Sequence, residues 1–183
     1  VPNIWIKKRD GTIVKNEMGP LVDVDKMPLL DFGLFEDARF YRPMQGRVWR
    51  MLPVETHRGC PYTCAFCNSP SQNTLYKGEI NQKFFRKRAF RKVHEELRHY
   101  IASYKAEAFY FWADTFFAYT EKEFDEFCEM YSDIRLPFWC QTRAETITEE
   151  RVRKLQNVGL MRMAFGVEHG NPEFRRRVVR RHL

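Results

Sequence analysis

From about residue 51 onward the chain alternates strand-length apolar runs with amphipathic helical stretches, four times over. "WRMLPVETH", "AEAFYFWAD", "IRLPFWCQTR" and "MRMAFGVEHG" are short, apolar and rich in β-branched or aromatic residues, the composition of strands buried on a sheet. Between them Phe90, Val93, Leu97, Tyr100, Ile101 and Tyr104 fall on one helical face, and Phe124, Phe127, Cys128 and Tyr131 on another. Thr120 and Glu123 have the spacing of a capping box. In "TITEERVRKLQNVGL" Thr146 or Thr148 can cap the helix, and Gly159 stands where a left-handed C-terminal cap belongs. Asn171-Pro172-Glu173 offers a last N-cap with Pro in the first turn. Short connections between such elements leave one architecture, an α/β fold with a parallel sheet or barrel. The alternation stops after the fourth unit, so the expectation is the amino-terminal part of a longer barrel. A four-stranded open sheet is the alternative.

The first fifty residues have another pattern. Asp10-Gly11 between "IWIKKR" and "TIVKN" signals a hairpin, and the stretch beyond it reads as an extended arm with small hydrophobic anchors. The expected division is therefore an arm over 1–50 and a core over 51–183.

With 44% hydrophobic and 15% aromatic residues, disorder is excluded. No apolar run reaches membrane-spanning length, and "VPNIWIKKRDG" lacks the apolar core of a signal peptide. The net charge of +7 is concentrated in "KFFRKRAFRK" and "RRRVVRRHL". Such runs are solvated faces in most proteins and anion-binding surfaces in some, so nucleic acid stays open as a partner. Five cysteines, three of them within eight residues, suit a reducing cytoplasm and a metal site better than a disulfide framework.

Those three are Cys60, Cys64 and Cys67 in "ETHRGCPYTCAFCNSP", spaced C-x3-C-x2-C directly after the first core strand. A closed structural zinc site takes four protein ligands, and a four-iron cluster normally takes four cysteines. Three thiolates leave an open position, which is what separates a reactive metal site from a structural one. His57 is the nearest alternative fourth ligand. The loop's place at the carboxyl end of a strand is where α/β folds put their active sites.

On these residues the sequence resembles the radical S-adenosylmethionine (SAM) enzymes, whose hallmark is this spacing with an aromatic residue before the third cysteine. "RGCPYTCAFC" looks closest to the branch that carries a cobalamin-binding domain. "FYFWADTFF" is similar to that branch's F-x-D-D-x-F second strand, "WCQTRAE" to its third and "FGVEHGNPE" to its fourth. "MPLLDFGLFED" looks like the connector after the cobalamin domain. The resemblance implies a partial (β/α)6 TIM-like barrel and a [4Fe–4S] cluster on Cys60, Cys64 and Cys67. SAM would chelate the fourth iron and be cleaved reductively to a 5′-deoxyadenosyl radical, for cobalamin-dependent methyl transfer or rearrangement. It further implies Phe66 near the adenine, Asp114 on the SAM ammonium, Arg143 on its carboxylate and Glu168 on the ribose. The Trp and Phe residues of "FYFWADTFF" read mainly as core, with the cofactor pocket as the alternative place for Trp112. Ala113 departs from the Asp-Asp form, so one carboxylate is missing. An electron donor such as a flavodoxin or ferredoxin is implied, and the corrinoid would come from a domain outside these residues. Two rivals stand beside this reading: a cobalamin-independent, methylthiotransferase-like enzyme acting on RNA, and a basic zinc module that binds nucleic acid without catalysis.

Overall fold

The computed structural model of the chain describes residues 1–181; His182 and Leu183, the end of the basic C-terminal stretch, lie outside it. The Asp10-Gly11 turn closes β1 (Trp5–Lys7) onto β2 (Ile13–Lys15), with Trp5 opposite Lys15. Asp10 accepts from the Thr12 amide at 2.9 Å, and Gly11 supplies the positive φ the turn needs. The arm then runs to β3 (Tyr41–Met44), which pairs antiparallel with β4 (Arg47–Glu55). Gln45 and Gly46 both have positive φ, the backbone of a two-residue hairpin turn. Strand pairing therefore crosses residue 50, and the sheet has an antiparallel edge strand that the four-strand reading lacked.

A short pair, β5 (His57–Arg58) with β6 (Arg86–Lys87), brackets the cysteine loop and α1 (Ser69–Ile80). The alternation then proceeds as expected through α2 (Phe90–Tyr104), β7 (Ala108–Trp112), α3 (Glu121–Tyr131), β8 (Phe138–Arg143), α4 (Glu149–Val158) and β9 (Leu160–Gly166). The sheet order is β3-β4-β7-β8-β9, with β4, β7, β8 and β9 mutually parallel: a partial barrel. The last helix, α5 (Pro172–Phe174), changes to π-helical spacing over Arg175–Val179.

Alternation along the strands divides the sheet. Leu52, Val54, Phe109, Phe111, Phe138 and Cys140 face the helices and are fully buried. They meet Val93, Leu97 and Tyr100 of α2, Phe124, Phe127 and Tyr131 of α3, and Leu155 of α4. Each such side chain contributes roughly 2 kcal/mol by leaving water. Phe111 meets Phe138 and Phe127 edge-on at 5.1 and 5.2 Å, the arrangement ring quadrupoles favour. Thr120 and Glu123 form both bonds of the capping box, and Thr148 rather than Thr146 caps α4. Gly159 closes α4 at φ 124°, where a Cβ would sit 2.7 Å from the Leu136 carbonyl. Asn171 caps the Phe174 amide at 3.0 Å.

Much of the basicity is consumed by pairing. Lys87 bonds Glu123 at 2.6 Å, Arg88 pairs with Glu96 in the interior, and Arg91 and Lys92 pair with Glu95. No helix of the described residues is long and apolar enough to cross a membrane.

Candidate functional site

The cysteine loop is fixed from below and from one side. His57 is buried and its Nε2 donates to the Thr115 carbonyl at 3.0 Å, tying the loop's root to the segment after β7. Burial pulls its pKa down to about 4 against the pull of that hydrogen bond, so the ring is neutral. Its side chain is thus a buried hydrogen-bonder, not a fourth ligand. Gly59 passes Phe84 at φ +83°, with room for no Cβ: one would lie 2.8 Å from the ring and 2.9 Å from the carbonyl oxygen. Asn73 of α1 donates to the Cys60 carbonyl at 2.9 Å.

All three loop cysteines are free thiols, Cys60 and Cys64 buried and Cys67 partly so. Each sulfur has one polar neighbour. The Thr115 hydroxyl lies 3.6 Å from Cys60 Sγ, Arg143 Nη1 donates to Cys64 Sγ at 2.9 Å, and the Ser69 amide donates to Cys67 Sγ at 3.4 Å. Burial holds the Cys60 thiol above its usual pKa. The sulfurs line a single cavity of about 350 Å3 at the carboxyl ends of β7, β8 and β9. Among the described residues, no three His, Cys, Asp or Glu side chains converge tightly enough to hold a single metal ion.

Phe66, Asp114, Arg143 and Glu168 line this same cavity. Phe66 is exposed at its rim. Asp114 comes two residues after β7, and its carboxylate has no hydrogen-bond or ion-pair partner among the described residues; burial, then the Glu55 charge, raises its pKa. Arg143 ends β8 almost wholly buried, stacked over the Tyr62 ring at 4.0 Å, with Nη2 on Glu145 at 2.9 Å. Its Nε is buried without a partner. Glu168, past the end of β9, adopts φ +68°, a left-handed backbone unusual for a side chain of its size.

Sequence reasoning missed Arg181. This side chain is only 4% exposed and reaches into the cavity wall from beyond the π-helical turn. It holds both oxygens of Glu145 at 2.7 Å and one of Glu168 at 2.9 Å. Burial pushes the Glu145 carboxyl up, but the bonds from Arg181 and the charge of Arg143 outweigh it and leave its pKa at about 2. A line of alternating charge thus runs Arg143–Glu145–Arg181–Glu168, with Arg143 also bonded to the Cys64 sulfur. The Val179 carbonyl accepts from the Ala65 amide at 3.0 Å, joining the C-terminal segment to the cysteine loop. One arginine in a run of arginines carries no spacing signal that distinguishes it. Trp112, read mainly as core with the pocket as its alternative, is neither: it is exposed and stands beside Met27 and Pro28 of the arm on the neighbouring part of the sheet. Cys140 is core, as expected for a small apolar side chain on a strand, and Cys128 packs against the core. His169 is exposed, with Nδ1 accepting from the Asn171 amide.

Residues 54–183 match the family model of the radical SAM superfamily. The chain is 29% identical over 165 residues to an anaerobic magnesium-protoporphyrin IX monomethyl ester cyclase of Rubrivivax gelatinosus, covering 87% of this chain and 27% of that protein. It is 25% identical over 170 residues to an uncharacterized methyltransferase of Pyrococcus horikoshii, covering 90% and 34%. The chain therefore spans about a third or less of the length of these relatives.

Proposed function

Because this chain belongs to the radical SAM superfamily, a membership that implies a [4Fe–4S] cluster and SAM, we propose that Cys60, Cys64 and Cys67 hold the cluster and that the cavity they line takes SAM. The observation that carries this is convergence: all three thiols, Phe66 of their loop and the three strand-end residues singled out by sequence border one cavity. The donor set suits the group. A single ion needs its ligands within about 2.3 Å of one point, whereas a cluster takes one thiolate per iron. Thiols set along one wall, with the acidic and basic side chains beyond them, fit the second arrangement. When bound, the cluster and SAM supply reductive cleavage of a sulfur–carbon bond.

The chain's own residues bind and shield. Asp114, an unpaired carboxylate facing the cavity, would accept hydrogen bonds from the SAM ammonium. Arg143 donates from Nη1 to Cys64 Sγ at 2.9 Å and so orients that sulfur at the cavity. Arg181 and Arg143 together hold Glu145, which fixes both guanidiniums against the cavity wall. Glu168 would meet the ribose and Phe66 the adenine at the rim. We further propose methyl transfer as the outcome, assisted by a corrinoid from another domain, with a flavodoxin or ferredoxin as electron donor. The name of the Pyrococcus relative and the likeness of "RGCPYTCAFC" to the cobalamin branch support that finer reading.

The test is anaerobic reconstitution with iron and sulfide, followed by electron paramagnetic resonance of the reduced protein with and without SAM. The expected result is a four-iron signal that changes when SAM is added and is lost in C64A. Stoichiometric zinc with no iron uptake would overturn the reading. Corrinoid content of the full-length protein tests the cobalamin step.

A further inference from the structure

On the same inner face of the sheet, toward the amino-terminal side of the cysteine cavity, lies a second and larger cavity of about 600 Å3. Its floor is Met51, Pro53, Tyr110 and Trp139, and its wall is the arm, which contributes phenylalanines and two guanidiniums, Arg39 and Arg42. The Tyr110 and Trp139 rings stack on adjacent strands, their centres 3.9 Å apart and their planes within 5° of parallel. Trp112 meets Tyr110 edge-on at 5.7 Å, extending the aromatic surface along the strand ends. The Tyr110 hydroxyl donates to Gln141 at 3.2 Å, and Gln141 borders the cysteine cavity. This hydrogen-bonded pair links the walls of the two spaces.

The lining is apolar, with one kind of exception. No acidic residue borders the cavity, yet two arginines do. Arg39 has a partner, Glu36 at 3.1 Å. Arg42 has no ion-pair partner among the described residues. An exposed arginine on an edge strand has an ordinary use in discouraging strand addition. That use does not require an aromatic floor beneath it or a cavity lining free of carboxylates. Volume, apolar walls and a few convergent polar groups are together the profile of a small-molecule site.

We propose that this cavity binds a flat, mostly apolar molecule bearing an acidic group, its rings against Tyr110 and Trp139 and its acid at Arg42. The site stands apart from the cysteine chemistry, and its test needs no cluster.

The probes are 1-pyrenebutyrate and its neutral counterpart 1-pyrenebutanol, titrated into the 183-residue chain and followed by pyrene emission and tryptophan quenching. The acid should bind about fivefold tighter than the alcohol at low salt, the scale of a partly exposed ion pair. R42Q should abolish that preference and leave the alcohol's affinity unchanged. M44W, which fills the cavity from the edge strand, should weaken both probes at least tenfold. Failure of either probe to bind, equal affinity of acid and alcohol, an unchanged preference in R42Q, or unchanged binding in M44W would each overturn the site. If a variant loses its near-ultraviolet circular dichroism, salt decides instead. The wild-type preference for the acid should shrink between about 50 and 500 mM salt, and a preference that persists refutes the role of charge.

Discussion

Arg151 is the residue whose loss should cost the candidate site most without touching it. It stands in the first turn of α4 and is 8% exposed. Nη1 donates to the Phe117 carbonyl at 3.1 Å, Nη2 to the Tyr119 carbonyl at 3.0 Å, and Nε to Glu121 at 3.0 Å. The guanidinium also lies 5.0 Å from the Phe124 ring centre. Phe117 and Tyr119 belong to the segment between β7 and α3 that also carries Asp114 and Thr115. In R151A two buried carbonyls lose their donors, at about 1 kcal/mol or more each. The lost packing over Phe124 adds about 1 kcal/mol. Glu121 is largely exposed, so its pairing adds little. The sum is about 3 kcal/mol, or roughly 6–12 °C in melting temperature for a chain of this size. Urea unfolding followed by circular dichroism measures it, and R151M separates the two contributions by keeping the stem and removing the donors. R151M should lose about 2 kcal/mol, the share of the two carbonyl bonds. If R151M unfolds with the wild-type midpoint, the carbonyls do not depend on Arg151 and the clamp is wrong.

The same geometry sets two more outcomes. G59A forces a left-handed backbone onto a side chain that would overlap the Phe84 ring and carbonyl; about 3 kcal/mol of stability should be lost, with iron uptake reduced because Cys60 is displaced, as urea midpoints and iron assay will show. Glu145 has its folded pKa depressed to about 2, so its contribution is complete above its ordinary value near 4.5 and fades as pH falls from there toward 2; E145Q should be less stable than wild type at about pH 7, and the gap should narrow in unfolding curves from about pH 4.5 downward and close only near about pH 2.

How much of this was legible in the sequence depends on which physics set each feature. Thr120, Thr148, Gly159 and Asn171 act through bonds within a turn of chain, and local spacing discloses such bonds. The strands that bury Phe109, Phe111 and Phe138 were legible as short apolar runs, whereas which of their side chains face the helices was not. Phe66, Asp114, Arg143 and Glu168 could be placed at one mouth because parallel strands necessarily align their carboxyl ends. The β3–β4 hairpin escaped because Gln45-Gly46 is not among the strong turn pairs, although its backbone is that of one. α1 escaped because "SPSQNTLYKGEI" carries almost no apolar stripe; it is held by its connections and by Asn73. The Arg143–Cys64 and Arg181–Glu145 contacts span 79 and 36 residues, and nothing in local spacing reports them.

Those long-range contacts also redistribute the roles that the sequence suggested. Family resemblance makes Arg143 a fork for a carboxylate, but Nη1 is on Cys64 and Nη2 is on Glu145, leaving only the buried Nε unpaired. Arg181 is likewise committed, to Glu145, Glu168 and the Gly166 carbonyl. The charges along this wall satisfy one another. Asp114 is the exception, a solvent-exposed carboxylate on the cavity lining with no partner among the described residues, its pKa raised by partial desolvation and then by the Glu55 charge. Keeping an acid ionised there costs stability unless a cation arrives to compensate it. An ammonium group on the ligand would do so, and it would gain more from Asp114 than a carboxylate would gain from arginines already engaged. We therefore propose that a ligand in this cavity is recognised first through its positive end, with the arginine–glutamate line holding the cysteine loop in place beneath it.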